Sequence, residues 1–380
     1  MVRLLHLGAL LGLALSGVSP AAALPQTDAK PKPPACKGMT KREEWYVTSP
    51  PLSSPSKPQL TTTTNTRRNM KPASQKSYIK AQRCVMTKPA KLPKLKALGA
   101  KTRWDELVML HQIEALQIHS TGTFLPFHRY FLHVQQFLLG ECGYKGGLPW
   151  WNEPLDAGNF ISSPLLDPVT GFGGNGTGQP PGNCVVDGPF ADLVVNIGPG
   201  FANRPRCVNR RINDAFSVLT NQTYVDDALS QPDYASAWLA IYMGPHLFGH
   251  IALAMMDGNS ITSPGDPLFF AHHGFVDKMW WDWQARDLPA RLSDMNGPNA
   301  QSPEIGFIEF PGGIAEEAAQ QGWGSPSPAM LAITPDPKNG DGGGTETTLG
   351  HVMGSLGIIP DATVGDVMDI QGGYLCYQYV

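Results

Sequence analysis

The sequence predicts a mainly α-helical fold with long loops and few short strands. Four segments carry apolar residues at the three- and four-residue spacing of a helix that buries one face: residues 103–120, 126–139, 234–256 and 266–287. The 41 glycines and 35 prolines among 380 residues are typical of long irregular connections. Because 42% of the residues are hydrophobic and only 16% are charged, the chain can bury a large core.

The first two of these helical segments follow each other closely. In residues 103–120, Leu107, Leu110 and Ile118 lie at helical spacing. Pro126 suits the first turn of the next helix, where a missing N–H and a fixed φ are tolerated. Two earlier stretches, residues 41–45 and 76–84, also have a helical pattern, so we expect short helices there.

The second pair of helical segments is separated from the first by a long irregular stretch. Residues 158–200 are rich in Gly, Pro and Asn and are expected to be mostly loop. The pattern resumes over 234–256. Asp266 and Pro267 then make a suitable cap and first position for the last helix.

The N-terminal part of the chain differs from the rest. Residues 1–23 have the pattern of a signal peptide, with Arg3 ahead of a short apolar run and small residues at 21–23. Residues 24–100 are expected to form an N-terminal segment with a disordered insertion at about 46–67, where Ser, Thr and Pro dominate. Since no later stretch has about 18 apolar residues, we expect a secreted, extracellular protein with no membrane partner.

The composition also indicates which partners and which redox compartment to expect. A net charge of −3 gives no reason to expect nucleic acid as a partner. The six cysteines form no CxxC pair, and in a secreted chain they predict three disulfides whose pairing the sequence leaves open. Asn175 and Asn221 begin glycosylation acceptor motifs, which also fits secretion.

Eight of the ten histidines fall in two clusters, and the cluster nearer the C-terminus has the clearer spacing. His246 and His250 are four residues apart, so on a helix they share a face and can bind one metal ion. A third ligand must come from another element, and His272 and His273 both stand early in the last predicted helix. Only one of these two can face the metal, because helical neighbours point about 100° apart.

The first cluster needs a break in its helix. His111 and His119 are eight residues apart, which is about 12 Å along a continuous helix and too far for one ion. The chain is therefore expected to leave the helix before His119. His128 then enters in the first turn of the next helix, whereas His133 points elsewhere. All-imidazole ligation fits copper, zinc, iron or nickel, and two neutral three-histidine sites suit copper best.

Two longer motifs around these histidines resemble a known family. HSTGTFLPFHRYF (119–131) and SPGDPLFFAHHGFVDKMWWDWQ (263–284) are similar to the two copper-binding motifs of the tyrosinase and catechol oxidase (polyphenol oxidase) family. The similarity extends through CGYKGGLPWW (142–151) and CVVDGPFADL (184–193). The chain most resembles the short, secreted polyphenol oxidases of filamentous fungi.

The resemblance implies a metal centre and a scaffold for it. It implies an antiparallel four-helix bundle that holds a type-3 centre of two copper ions, within a catalytic domain of residues 101–380. The implied ligands of the first copper are His111, His119 and His128, and those of the second are His246, His250 and His273. His272 would then lie beside the ligands without binding copper. Asp277 and Arg129 would hold the helices together by polar contacts.

The resemblance also implies the residues of a substrate pocket. Leu247 follows the first histidine of the second copper site, and Ser260 or Ile261 lies over the first copper. Phe269 matches a phenylalanine that packs between the two metal sites. No side chain other than the copper ligands is expected to be catalytic.

The implied activity is copper-dependent oxidation of o-diphenols (catechols) to o-quinones, with O₂ reduced to water. Monophenol-hydroxylating members often carry Asn at the position of Leu247, and a Glu upstream where this chain has Ala237. A leucine cannot orient a water, so catechol oxidase is favoured over tyrosinase. Oxidation of o-aminophenols and haemocyanin-like O₂ binding are the remaining alternatives. The expected partners are small phenols and O₂, and the expected state is a monomer or weak dimer.

Overall fold

Helices make up most of the regular structure, and the strands are few and short. The computed structural model describes residues 36, 38–45, 70–177, 182–301 and 314–380. The predicted signal peptide (residues 1–23) and the predicted insertion at about 46–67 lie outside these residues. The α-helices are α1 (Pro72–Thr87), α2 (Pro93–Ala97), α3 (Arg103–Ile118), α4 (Phe124–Gly140), α5 (Glu153–Asp156), α6 (Asp214–Ser217), α7 (Gln222–Ser230), α8 (Tyr234–Ile241), α9 (Leu247–Leu253), α10 (Leu268–Ala285), α11 (Ile314–Gln320), α12 (Pro328–Leu331) and α13 (Val364–Val367).

Within the described residues, the strands form four separate two-stranded pairs. Three pairs are antiparallel and join strands that lie near each other in the chain, namely β2 (Gly176–Thr177) with β3 (Cys184–Val185), β4 (Val194–Val195) with β5 (Arg206–Cys207), and β6 (Val352–Met353) with β7 (Ala362–Thr363). The fourth pair is parallel and joins β1 (Thr40–Arg42) to β8 (Tyr377–Tyr379). The ends of the described chain are therefore tied together.

The predicted helix at 41–45 is wrong. Residues Thr40–Arg42 form β1, and Glu44 makes an isolated bridge to Trp150. The pairing partners of β1 lie more than 330 residues away, so no local pattern could reveal them. Tertiary pairing overrides a weak local preference here.

The predicted helices that carry the histidines are confirmed, and local chemistry explains where they begin. The Thr102 hydroxyl accepts from the Asp105 N–H at 3.0 Å, and Asp105 accepts from the Thr102 N–H at 2.9 Å, which makes a capping box for α3. At α10, Asp266 accepts from the Leu268 N–H at 3.0 Å. The predicted third helix is interrupted, because α8 and α9 are separated by a π-helical turn around Gly244.

Helix α10 lies at the centre of the helical packing. It contacts α4, α7 and α8, while α3 contacts α1 and α4. Aromatic side chains of α10 fill the space between these helices, with Phe269, Trp280 and Trp283 fully buried. Burying side chains of this size contributes much of the stability of such a core.

A buried ionic network fastens β1 and β8 to α4 and α10. Asp277 on α10 accepts from Arg129 at 2.5 Å and from Arg42 at 2.8 Å. The hydroxyls of Tyr377 and Tyr379 donate to the same carboxylate. Burial raises the pKa of Asp277, but the two guanidinium groups outweigh it and hold that pKa below its usual value.

Three disulfides join all six cysteines, which confirms the predicted number. They link Cys36 to Cys376, Cys84 to Cys142, and Cys184 to Cys207. Disulfides of this kind persist in oxidising compartments. None of the described helices is both long and apolar enough to cross a membrane.

Candidate metal centre

The first histidine group is assembled at the end of α3 and the start of α4. His111 lies on α3, which ends at Ile118, and His119 follows with extended backbone at φ −114° and ψ 146°. The chain therefore leaves the helix before His119, as predicted. His128, on α4, completes the group. The ring centroids of these three histidines lie 5.0–5.5 Å from one another.

Backbone carbonyls orient the rings of this group. The Nδ1 atom of His111 is 2.9 Å from the Ile261 carbonyl oxygen, and that of His119 is 2.9 Å from the Ala115 carbonyl oxygen. His128 uses its Nδ1 in the same way, at 2.8 Å from the carbonyl oxygen of Phe124. Because Nδ1 then donates, Nε2 is left with a free lone pair. A carbonyl behind each ring is the usual support of a metal-binding histidine.

The second group combines the α8–α9 junction with α10. His246 ends the π-helical turn, and its Nδ1 lies 3.1 Å from the Tyr242 carbonyl oxygen. Its Nε2 is buried and has no hydrogen-bond partner. His250 lies one turn later on α9, and His273 joins from α10 with its Nε2 3.1 Å from the His250 Nε2.

The spacing of the nitrogens fits metal ions. In the first group, the Nε2 atoms of His111 and His128 are 3.4 Å apart. Metal–nitrogen bonds of about 2.0–2.1 Å place the nitrogens of one coordination sphere roughly 3.3–3.6 Å apart. In each group, the candidate ligand atoms all lie within 4.8 Å of one another, and in the second group this set also includes His272.

The two groups are neighbours. The rings of His128 and His273 stack with their centroids 4.5 Å apart, at an interplanar angle of 14°. Phe269 is fully buried, and its ring also stacks on His273, with the centroids 4.0 Å apart. The geometry therefore suits a pair of metal ions held close together.

Burial keeps these imidazoles neutral. It lowers the pKa of His119 to about 4. It lowers the pKa values of His111, His128, His246 and His273 well below the usual histidine value, and neighbouring imidazoles lower them further. A neutral imidazole has the lone pair that a metal requires, so the groups are ready to bind metal at neutral pH.

His272 does not face the same way as His273. Its Nδ1 lies 2.5 Å from Oε1 of Glu153, and both side chains are fully buried. Gly249 on α9 packs against this pair, and a β-carbon there would collide with the His272 ring. The pair of Glu153 and His272 therefore braces α9 and α10 where they carry the second group. The sequence analysis missed Glu153, because nothing local links it to a histidine 119 residues away.

A cavity of about 230 Å³ opens beside the two groups. Its lining residues are His119, His246, Leu247, His250, Ile251, Ala254, Met255, Gly258, Asn259, Ser260 and Ser263. Of the predicted pocket residues, Leu247 and Ser260 are thus brought to the cavity. Ile261 and Phe269 are fully buried, and each contacts a histidine instead, Ile261 through its carbonyl and Phe269 through its ring.

Known proteins with similar sequences point to one family. Residues 101–286 match the family model described as the common central domain of tyrosinase. Tyrosinase-like protein phomQ1' of Diaporthe leptostromiformis is 30% identical over 362 residues, which cover 88% of this chain and 85% of that protein. Tyrosinase P of Aspergillus terreus is 33% identical over 295 residues, which cover 63% of this chain and 82% of that protein.

A solved structure supports the same relationship. A polyphenol oxidase variant from Thermothelomyces thermophila superimposes with a TM-score of 0.61 at 26% identity, covering 82% of this chain and 86% of that one. The family implies a binuclear copper centre, and two adjacent groups of neutral imidazoles are a suitable donor set for it. Sequence, fold and donor set agree, and the chain belongs to the tyrosinase family of copper oxidases.

Proposed function

We propose that this protein oxidises o-diphenols to o-quinones with two bound copper ions, while O₂ is reduced to water. The observation that carries the proposal is the pair of adjacent histidine groups, whose rings meet at the stack of His128 on His273. The first copper would be held by His111, His119 and His128, and the second by His246, His250 and His273. The copper pair would supply the binding and reduction of O₂.

The protein's own part is to orient the ligands and the substrate. Backbone carbonyls behind His111, His119, His128 and His246 keep each Nε2 directed away from the backbone. The lining of the cavity contains no carboxylate, lysine or arginine among the described residues. A phenol entering it would meet apolar walls, three imidazoles and a few neutral polar groups.

The cavity favours catechols over monophenols. Leu247 lines it directly after His246, and Ala237 is fully buried on α8. Neither side chain can hold a water that would take a proton from a monophenol. A catechol already has two hydroxyls on adjacent carbons, so its oxidation adds no oxygen to the ring and does not depend on such a water.

Secretion is the proposed location. The signal-peptide pattern of residues 1–23 and the three disulfides both fit an oxidising compartment. A monomer or weak dimer stays a prediction, and size-exclusion chromatography with light scattering would test it.

Oxygen uptake by the copper-loaded protein tests the proposed activity. We expect rapid uptake with 4-tert-butylcatechol and little with tyrosine. The variant His128→Asn should abolish uptake, whereas His351→Asn should retain it, because that buried histidine pairs with Asp341 and belongs to neither group. Comparable uptake with tyrosine would make the protein a tyrosinase. No uptake with either substrate, despite two bound copper ions, would favour an O₂ carrier or an aminophenol oxidase.

A further inference from the structure

Tyr242 lies between the two histidine groups and contacts both of them. It begins the π-helical turn that ends at His246, and turns of this kind are frequent at functional sites. Its side chain is fully buried. The described residues that line the cavity do not include Tyr242. It can therefore affect the site only through the residues that it contacts, and not by touching a substrate.

Two contacts of Tyr242 hold a ligand of the second group. The Tyr242 carbonyl oxygen lies 3.1 Å from the Nδ1 atom of His246. The Tyr242 ring also stacks on the imidazole, with the centroids 5.2 Å apart and an interplanar angle of 16°. The carbonyl sets which nitrogen donates, and the stack sets the plane of the ring. Together they direct the Nε2 atom of His246 towards the metal position.

The hydroxyl of Tyr242 holds the first group. It accepts from the backbone N–H of Ser120 at 3.1 Å and lies 3.2 Å from the Ser120 hydroxyl. Ser120 is fully buried and directly follows the ligand His119. The position of His119 therefore depends on a hydroxyl that belongs to the helical turn of the other group.

Ser120 needs this support because its backbone is strained. Its φ of 56° lies in the left-handed region, which is uncommon for residues other than glycine. Such a conformation persists only where the surrounding structure enforces it. It turns the chain from the extended backbone of His119 towards α4, which carries His128. If the hydroxyl of Tyr242 were lost, Ser120 could relax to a commoner conformation, and His119 would move with it.

The rest of the connection between α3 and α4 is anchored by other contacts. The Gly122 carbonyl accepts from the Tyr234 hydroxyl at 2.6 Å. The Gly122 N–H donates to the Pro298 carbonyl at 2.8 Å. Because neither contact involves Tyr242, loss of its hydroxyl should disturb Ser120 and the ligand before it without unfolding the connection.

We propose that Tyr242 is a positioning residue that fixes both copper groups at once, the first through its hydroxyl and the second through its ring and carbonyl. The inference rests on the proposed dicopper centre. It has a consequence that a support of one group alone would not have. Removing the hydroxyl of this residue, which stands four residues before a ligand of the second group, should weaken copper binding in the first group.

Two substitutions at Tyr242 separate these contacts. Tyr242→Phe removes only the hydroxyl, whereas Tyr242→Leu removes the aromatic ring as well. In competition with a chromophoric copper(I) chelator, Tyr242→Phe should bind one of its two copper ions about tenfold more weakly, as expected for a support behind a metal ligand. Tyr242→Leu should bind both ions more weakly. Tyr144→Phe is the matched control, because it removes a buried hydroxyl that donates to the Gly147 carbonyl at 2.7 Å outside both groups, and it should bind both ions as the wild type does.

Variants with one damaged group identify the weakened copper ion. His250→Asn damages the second group but leaves the stack of Tyr242 on His246 in place, so only the first group remains intact. Adding Tyr242→Phe to this variant should lower its copper affinity about tenfold. Adding Tyr242→Phe to His111→Asn, where only the second group is intact, should leave the copper affinity within about twofold. An unchanged affinity in the first case, or equal losses in both cases, would overturn the inference.

A rescue variant separates positioning from a general loss of stability. Glycine adopts a positive φ without steric strain, so a glycine at position 120 needs less support from the hydroxyl of Tyr242. Adding Ser120→Gly to Tyr242→Phe should therefore restore most of the copper affinity of the first group. A defect in Tyr242→Phe that Ser120→Gly does not reduce would refute the proposed action through Ser120.

Failure of this inference is distinguishable from failure of the proposed function. If the wild type binds two copper ions but does not oxidise 4-tert-butylcatechol, the proposed activity fails, and the copper affinities still decide the role of Tyr242. If Tyr242→Phe binds both ions as tightly as the wild type, the inference is refuted and the proposed function stands. If the wild type binds no copper, both are refuted.

Discussion

Replacing Glu153 with Gln should weaken copper binding at the second histidine group. The Glu153 carboxylate accepts from His272 at 2.5 Å, and both side chains are fully buried. A hydrogen bond to a charged group contributes about 1.5–3 kcal/mol and a neutral one about 0.5–1.5 kcal/mol. Glutamine keeps the shape but loses the charge, so the difference is roughly 1–2 kcal/mol. If this whole difference is lost from the free energy of copper binding, the copper affinity of the second group falls about 5- to 30-fold.

The effect would reach the metal through packing. The His272 ring is 4.6 Å from the His250 ring and stacks on His246 at 5.7 Å. The weaker hydrogen bond from glutamine holds the His272 ring less firmly, and both of those ligands can then shift. Supports behind metal ligands commonly change affinity by about 10- to 100-fold, which is consistent with this estimate.

Competition with a chromophoric copper(I) chelator measures this affinity. Glu153→Gln should release one of its two copper ions at a lower chelator concentration than the wild-type protein does. Asp341→Asn is the matched control, because Asp341 also holds a buried histidine, His351, at 2.7 Å but lies outside both groups. Identical release curves for Glu153→Gln and the wild type, with circular dichroism showing both folded, would refute the reasoning.

Three further changes have directions set by the structure. Asp277→Ala leaves two buried guanidinium groups without a counter-charge and should lower the free energy of unfolding by about 3–5 kcal/mol in urea, whereas Asp192→Ala, at an exposed ion pair, should cost less than about 1 kcal/mol. Burial, with a nearby carboxylate, raises the pKa of Glu114 to about 8. The free energy of unfolding of the wild type therefore falls, by up to about 4 kcal/mol, as the pH rises from about 5 to 8. Glutamine cannot ionise, so Glu114→Gln should unfold at a higher urea concentration than the wild type at pH 8 but not at pH 5. Leu247→Asn should raise the ratio of tyrosine to 4-tert-butylcatechol oxidation about tenfold, measured as oxygen uptake, because an amide can hold a water beside the substrate. The corresponding assignment is contradicted by an unchanged urea midpoint in Asp277→Ala, by an unchanged midpoint in Glu114→Gln at pH 8, or by an unchanged oxidation ratio in Leu247→Asn.

Much of the helical scaffold could be predicted from the sequence because its signals are local. Apolar spacing located α3, α4 and α10, and Asp266 and Pro267 marked the start of α10. Simple helix geometry also required the break before His119, and α3 ends at Ile118. The strand at Thr40–Arg42 was not predictable in this way, because its partner lies at the other end of the chain.

The supports of the candidate site were harder to foresee. Glu153 contacts His272, which is 119 residues away in the sequence, and the Ile261 carbonyl contacts His111, which is 150 residues away. Every residue has a backbone carbonyl, so the sequence does not mark the ones that support a histidine. A single glutamate can have many roles, so its position in the sequence does not identify this one.

Copper content per chain tests the central claim most directly. After loading and dialysis, inductively coupled plasma mass spectrometry should find two copper ions in the wild-type protein. It should find about one in His111→Asn and about one in His246→Asn, because each variant damages a different histidine group. A wild-type protein that retains one copper ion or none, or variants that both retain two, would contradict the assignment of the two groups as a dicopper centre.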